Sequence, residues 1–139
     1  MSQITFEQLE TLTREQLPFA KPYNFIVEYL GDREARVRLP ANGAFLRPGG
    51  TISGPAMMAL ADYAMYAAVL ASIGPVELAV TTNLNINFLQ KPAPGDLIAD
   101  ARLIKLGKRL AVGDVPIHTI EDPTMVAHVT ATYSIPPHR

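Results

Sequence analysis

Ser53-Gly54-Pro55-Ala56-Met57-Met58-Ala59-Leu60-Ala61-Asp62-Tyr63-Ala64-Met65-Tyr66-Ala67-Ala68-Val69-Leu70-Ala71 reads as one helix with no polar face. Alanine, methionine and leucine are strong helix formers. Ser53-Gly54-Pro55 is an opening signal and Gly74-Pro75 a closing one, which sets the helix at about residues 54–72. A helix that is apolar all round must be buried all round. Its one charge is Asp62. A carboxylate there is costly unless a partner pairs with it or a reaction uses it, and burial is one way in which enzymes prepare a general base. Asp62 is therefore the first candidate for chemistry.

On the N-terminal side, Thr5-Phe6-Glu7-Gln8 has the pattern of a capping box, and Phe6, Leu9, Leu12 and Leu17 form an apolar stripe, predicting a short helix over 5–17. Phe25 to Leu30, then Ala35, Val37 and Leu39 alternating with Arg36 and Arg38, predict two strands around Gly31-Asp32. Pro40 to Ser53 is a loop rich in glycine and proline. Beyond the helix the period becomes two, and strands are expected over about 76–135. Leu84, Ile86 and Phe88 fall on one face, with Asn83, Asn85 and Asn87 on the other. Further strands are predicted over Leu97–Leu106, Arg109–Thr119 and Met125–Ile135, with turns at Pro92–Asp96, Gly107-Lys108 and Glu121-Asp122-Pro123. Neighbouring strands with segregated helices argue for an α+β domain with an antiparallel sheet. The sheet should curl around the apolar helix, and a dimer that extends it would also remove an exposed strand edge.

No repeat or linker divides the 139 residues, a length that fits one domain with a real core. Thirteen acidic and twelve basic residues nearly cancel, and no basic block suggests nucleic acid. The absence of cysteine excludes disulfides, thiolate metal sites and a cysteine nucleophile. His118, His128 and His138 lack metal-ligand spacing. With no signal pattern at Met1 to Phe6, and a helix too short and alanine-rich for a convincing membrane span, the chain reads as soluble and cytoplasmic.

Order, spacing and residues together resemble the hotdog-fold thioesterases of the phenylacetate-pathway (PaaI-like) type. In that family a His-Gly-Gly motif leads into the central helix, and an Asp or Glu follows eight residues after its first glycine. Gly50-Thr51-Ile52-Ser53-Gly54-Pro55 and Asp62 have that register, with Gly54 as the first glycine and Asp62 as the catalytic acid. Val80 to Leu89 is similar to the family's long strand, and Pro92–Asp96 and Lys105–Leu110 to its next turn and hairpin. The likeness covers roughly residues 40 to 135. Ser53 stands where the motif has histidine, Pro55 where it has its second glycine, and Arg47 where relatives carry an asparagine.

The resemblance implies a hotdog fold, in which an antiparallel curved sheet wraps a long central helix. It also implies a homodimer, often paired into a tetramer, with active sites at the subunit interface. The implied activity is hydrolysis of acyl-CoA thioesters, coenzyme A entering as part of the substrate and no metal or other cofactor being needed. Asp62 would be general base or nucleophile, the Gly54 N–H an oxyanion donor, and Thr81 a hydroxyl that positions the water. Asp62 and Gly54 are two turns apart, about 12 Å along one helix, so the pair at one site would come from opposite subunits. Ser53 caps the helix beside this centre.

Candidate substrate or CoA contacts are Arg47, Gly50, Tyr66, Asn83, Lys108 and Arg109. Simpler roles stand beside them: Lys108 and Arg109 as a solvated turn, Arg47 as a loop residue, Asn83 as part of a polar sheet face. Asp62 could instead pair with Arg36, Arg38 or Arg109 as a structural ion pair. A non-catalytic acyl-CoA-binding hotdog protein is the alternative function. A hotdog hydratase or dehydratase is disfavoured, since those pair a histidine with the acid and no histidine precedes position 118.

Overall fold

The structure, a computed structural model, describes residues 1–137; His138 and Arg139 lie outside the described residues. Helix α1 (Phe6–Gln16) starts at Thr5, where the expected capping box forms between Thr5 and Gln8. A 3-10 turn (Pro18–Tyr23) leads to β1 (Ile26–Gly31) and β2 (Glu34–Leu39), and a second (Gly43–Phe45) precedes α2 (Gly54–Ile73). The chain then makes β3 (Val80–Phe88), β4 (Leu97–Leu106), β5 (Leu110–Thr119) and β6 (Asp122–Ser134). The six strands form one antiparallel sheet in the order β1-β2-β4-β5-β6-β3.

Helix α2 packs against all six strands, which only a curved sheet permits. Leu60, Ala64, Met65, Ala67, Ala68 and Leu70 are fully buried in the hollow. This is the hotdog fold. By length and composition α2 could cross a bilayer, but most of it is buried inside the molecule. Burial is not complete all round, as its sequence requires: Pro55 and Met58 are exposed and Asp62 is half-buried. One chain leaves the first turns of its own helix partly uncovered.

Two strand boundaries differ from expectation. The β5–β6 turn is Ile120–Glu121, closed by the Thr119–Asp122 pair, so Pro123 lies inside the exposed start of β6 rather than in the turn. Val76 to Ala79 is a hydrogen-bonded turn, and β3 starts only at Val80. The asparagine face of β3 is exposed and Leu84 and Ile86 face the core, but Phe88, expected on the core face, is about half exposed at 51%.

Close approach of helix and sheet depends on one missing side chain. A Cβ at Gly113 in β5 would lie 2.6 Å from the Arg102 carbonyl oxygen and 2.7 Å from Met65 Sδ on α2. The carbonyl belongs to the β4 backbone and cannot turn away. Gly113→Ala is therefore expected to cost about 1–3 kcal/mol, the range of an overpacked core, seen as a lower denaturant midpoint with an unchanged slope.

Candidate active site

Asp62 has found partners other than a cation. Its Oδ1 accepts from Thr81 Oγ1 at 2.6 Å and from Tyr133 Oη at 2.7 Å, and Tyr133 Oη also reaches the Asp62 carbonyl oxygen at 3.0 Å. The ion-pair alternative is not what forms. Arg36 bonds Asp100 at 2.7 Å, Arg38 bonds Glu28 at 2.7 Å and Asp96 at 3.1 Å, and Arg109 is exposed on a turn. Oδ2 of Asp62 accepts from nothing among the described residues, and Asp62 lines a cavity of about 150 Å³ with Leu17, Phe19, Tyr66, Glu77 and Thr81.

Thr81 reaches Asp62 because β3 is irregular. Thr81 pairs with Tyr133 but Asn83 pairs with Thr132, so Thr82 is an extra residue, a β-bulge. Strict alternation from Leu84 and Ile86 would turn Thr82 inward and Thr81 outward. The bulge inverts that phase and aims Thr81 at α2. Its hydroxyl proton goes to the carboxylate. Tyr133 is Thr81's cross-strand partner, so both donors come from one rung of the sheet. Sequence reading passed over Tyr133, which sits in an ordinary β6 alternation with nothing local to mark it.

Tyrosines dominate the electrostatics. Burial, and after it the charge of Asp62, raises the Tyr133 phenol well above the ordinary tyrosine range, so it remains a donor. Tyr66 is pushed up to about 12, mainly by burial and then by Glu77 and Tyr63; its hydroxyl donates to the Glu77 carbonyl at 3.1 Å. Burial also raises Tyr63, whose hydroxyl meets Thr13 Oγ1 at 2.7 Å. His118 and His128 do face acids, across strands: Asp100 at 3.6 Å and Asp114 at 3.1 Å. Neither lines the Asp62 cavity.

The remaining candidates form a second group. Gly54 opens α2 behind Ser53, whose hydroxyl caps it from 3.4 Å to the Ala56 N–H. The Gly54 N–H has no acceptor among the described residues, and Pro55 has no N–H to offer. A Cβ on Gly54 would meet the Phe88 ring at 3.0 Å, which is where the exposed Phe88 goes. Gly54 lines a separate cavity of about 510 Å³ with Arg47, Met57, Phe88 and Lys91. Lys91 is a cation that sequence reading did not single out. Gly50, at φ +80°, closes a turn by donating to the Arg47 carbonyl at 2.9 Å. Asn83 is exposed on β3. Lys108 and Arg109 are exposed on the β4–β5 turn, just beyond the Leu110–Ser134–Val80 rung and so at the Asp62 end of the sheet. Within one chain, then, Asp62, Thr81 and Tyr66 come together, while Gly54 and Arg47 sit apart from them.

The sequence profile of the thioesterase superfamily matches residues 49–126, more than half of the chain. The chain belongs to that superfamily. A solved structure of a provisionally named thioesterase from Silicibacter sp. is 44% identical, superposes with a TM-score of 0.87, and is covered over 95% of its length by 99% of this chain. A variant of the phenylacetic acid degradation protein PaaI from Thermus thermophilus is 27% identical with a TM-score of 0.75, over 86% of this chain and 99% of that one. Among curated relatives, a provisionally named esterase of Halobacterium salinarum is 35% identical over 111 residues, 73% of each chain. The superfamily membership supports a thioesterase in general terms.

The raised Tyr66 gives a pH dependence. An unfolded tyrosine loses its proton near its ordinary 10.0, folded Tyr66 near about 12, so between these values the unfolded state binds fewer protons. Stability from this group is complete below pH 10 and is lost as pH rises towards 12. Denaturant midpoints should hold level up to that lower value and then fall, and Tyr66→Phe should flatten the fall.

Proposed function

We propose that this protein is an acyl-CoA thioesterase that hydrolyses a thioester to the free acid and coenzyme A, with Asp62 as general base. The observation that carries the reading is the Asp62 carboxylate, with one oxygen fixed by two donors and the other open to a cavity. That oxygen takes a proton from water as the water oxygen adds to the thioester carbonyl carbon. The C–O⁻ that forms needs a donor, and the free Gly54 N–H, at the positive end of α2, supplies it. Collapse restores the carbonyl, breaks the C–S bond and expels the thiolate, which receives the proton from Asp62. Two donors on Oδ1 favour base over nucleophile, since they draw charge from the carboxylate and restrain its advance on the carbonyl carbon. No metal or further cofactor enters these steps.

The separation of the two halves within one chain supports a site built from two chains. Thr81, beside Asp62, is near the start of β3, and Phe88, against Gly54, is at its end, about 23 Å further along an extended strand. β3 is also a sheet edge whose outer backbone groups pair with no strand among the described residues, the kind of edge that pairs with another chain. Two copies joined antiparallel along β3, with Thr81 opposite the partner's Phe88, would bring each Asp62 to the partner's Gly54 and cover the exposed first turns of α2. Pairing of such dimers gives the tetramer that the resemblance implies. Lys108 and Arg109 at the Asp62 end, and Arg47 at the Gly54 end, are the cations offered to the CoA phosphates. We place the protein in the cytoplasm as a soluble enzyme.

The test uses thiol release from a panel of aliphatic and aromatic acyl-CoAs. Wild type should release thiol and Asp62→Asn should not. Gly54→Pro removes the donor N–H at a position where proline suits the helix start and Ser53 (φ −69°, ψ 151°) has a conformation allowed before proline. The proline ring also presses on Phe88, which lies 3.0 Å from a Cβ there, so the loss is read as that of the donor when Tm and acyl-CoA binding are unchanged. The variant's kcat should fall by about 100–1,000-fold. Mixing the two inactive variants and allowing exchange should restore about a quarter of wild-type activity, the share of intact sites under random pairing in a symmetric dimer. No recovery on mixing, despite exchange, would place both groups of one site in the same chain. Binding of acyl-CoA without release by wild type would make the protein a binder instead.

A further inference from the structure

We infer that Tyr133 is a positioning residue for the reaction: with Thr81 it pins Oδ1 of Asp62, so that Oδ2 alone meets the reacting water. The inference rests on the reading of Asp62 as the base. Three observations carry it. The phenol's single proton is shared between two acceptors of the same residue, Oδ1 at 2.7 Å and the main-chain carbonyl at 3.0 Å, which holds the carboxylate beside its own helix backbone as well as against the sheet. Tyr133 is 3% exposed and its backbone is fixed between β5 and β3, paired with Ala111 and Thr81, which sets its ring at the wall of the Asp62 cavity. The bulge at Thr82 brings the second donor to the same oxygen from the adjacent strand.

Two donors on one oxygen fix both the side-chain torsion and the identity of the free oxygen. A half-buried aspartate without them would rotate about its last bond and present either oxygen in turn. The Asp62 carbonyl also belongs to the α2 ladder, so the phenol is an added tether there, not its sole partner. Tyr133 touches neither substrate nor reacting atoms in this scheme; it acts through Asp62.

The experiment is a kinetic cycle on the full-length protein. Wild type, Tyr133→Phe, Asp62→Asn and the double variant are compared for kcat, KM and Tm, beside Thr81→Val and Thr81→Ser. Tyr133→Phe is expected to lower kcat by about 10–100-fold, the cost of a misplaced catalytic group, with KM changed less than about twofold. In the Asp62→Asn background the same change should cost nothing further, because the residue it positions is already gone. Thr81→Val should lose kcat similarly and Thr81→Ser, which keeps the hydroxyl, should retain it. Should Tyr133→Phe fail to fold, the Thr81 pair alone tests whether Oδ1 must be pinned.

An unchanged kcat in Tyr133→Phe or, where that variant does not fold, in Thr81→Val, with Asp62→Asn inactive, overturns this inference and leaves the base in place. Equal losses with and without Asp62 overturn it too, since Tyr133 would then act independently. Full activity in Asp62→Asn, or none in wild type, overturns the reading of Asp62 and this inference together.

Discussion

A helix with no polar face can exist in water only if something covers all of it, and most of this architecture follows from that demand on α2. The mean helix packs one stripe against a core; α2 must be enclosed. The chain meets this with a sheet curved far enough for every strand to touch the helix, and with glycine at Gly113 so that β5 can close on Met65. What one chain cannot cover is the beginning of the helix, around Pro55 and Met58, and there the β3 edge is also unsatisfied. Both deficits are on offer to the same partner.

Enclosure also decides where chemistry can be. In a hollow lined by alanine, methionine and leucine, a carboxylate needs hydrogen-bond donors, and the strands must supply them. Thr81 and Tyr133 do so from a single rung, at the cost of a bulge that breaks β3's alternation. The irregularity is thus the sheet's accommodation to the helix. Leu84 and Ile86 keep their places in the core while a polar residue of opposite phase turns inward beside them. Leu17 and Phe19, from the segment before β1 and outside the superfamily match, close the cavity at Asp62 from the other side.

Sequence periodicity resolved the elements whose pattern is local. β4 has the predicted limits, and α2 runs only one residue beyond its predicted end. Errors arose where a contact beyond the element decides. Pro123 signals a turn, yet the hairpin closes one pair earlier, because an exposed strand start tolerates a residue without an N–H. Phe88 alternates with Leu84 and Ile86, but the space above glycine at position 54 draws its ring out of the core. Asp62 was legible because a charge in an apolar helix is anomalous in itself. Tyr133 was not, because tyrosine in a strand is unremarkable until the fold sets it against an aspartate 71 residues away. The partners of His118 and His128 were hidden likewise, as cross-strand neighbours are distant in sequence.

On the proposed reading, the distance between Asp62 and Gly54 gives oligomerisation a chemical role. A base and an oxyanion donor must converge within a few ångströms of one carbonyl carbon, yet Asp62 and Gly54, proposed for those roles, line separate cavities on one helix. No bending of α2 consistent with its burial would join them. Antiparallel pairing of two β3 strands exchanges the ends of the strand, and so converts a separation within a chain into an apposition between chains. The position of Thr81 near one end of β3 and Phe88 at the other then becomes a functional dimension: the strand must be long enough to hold the two half-sites at its ends. On the proposed reading, a shortened β3 would misalign the base and the donor even if the dimer formed and α2 stayed folded.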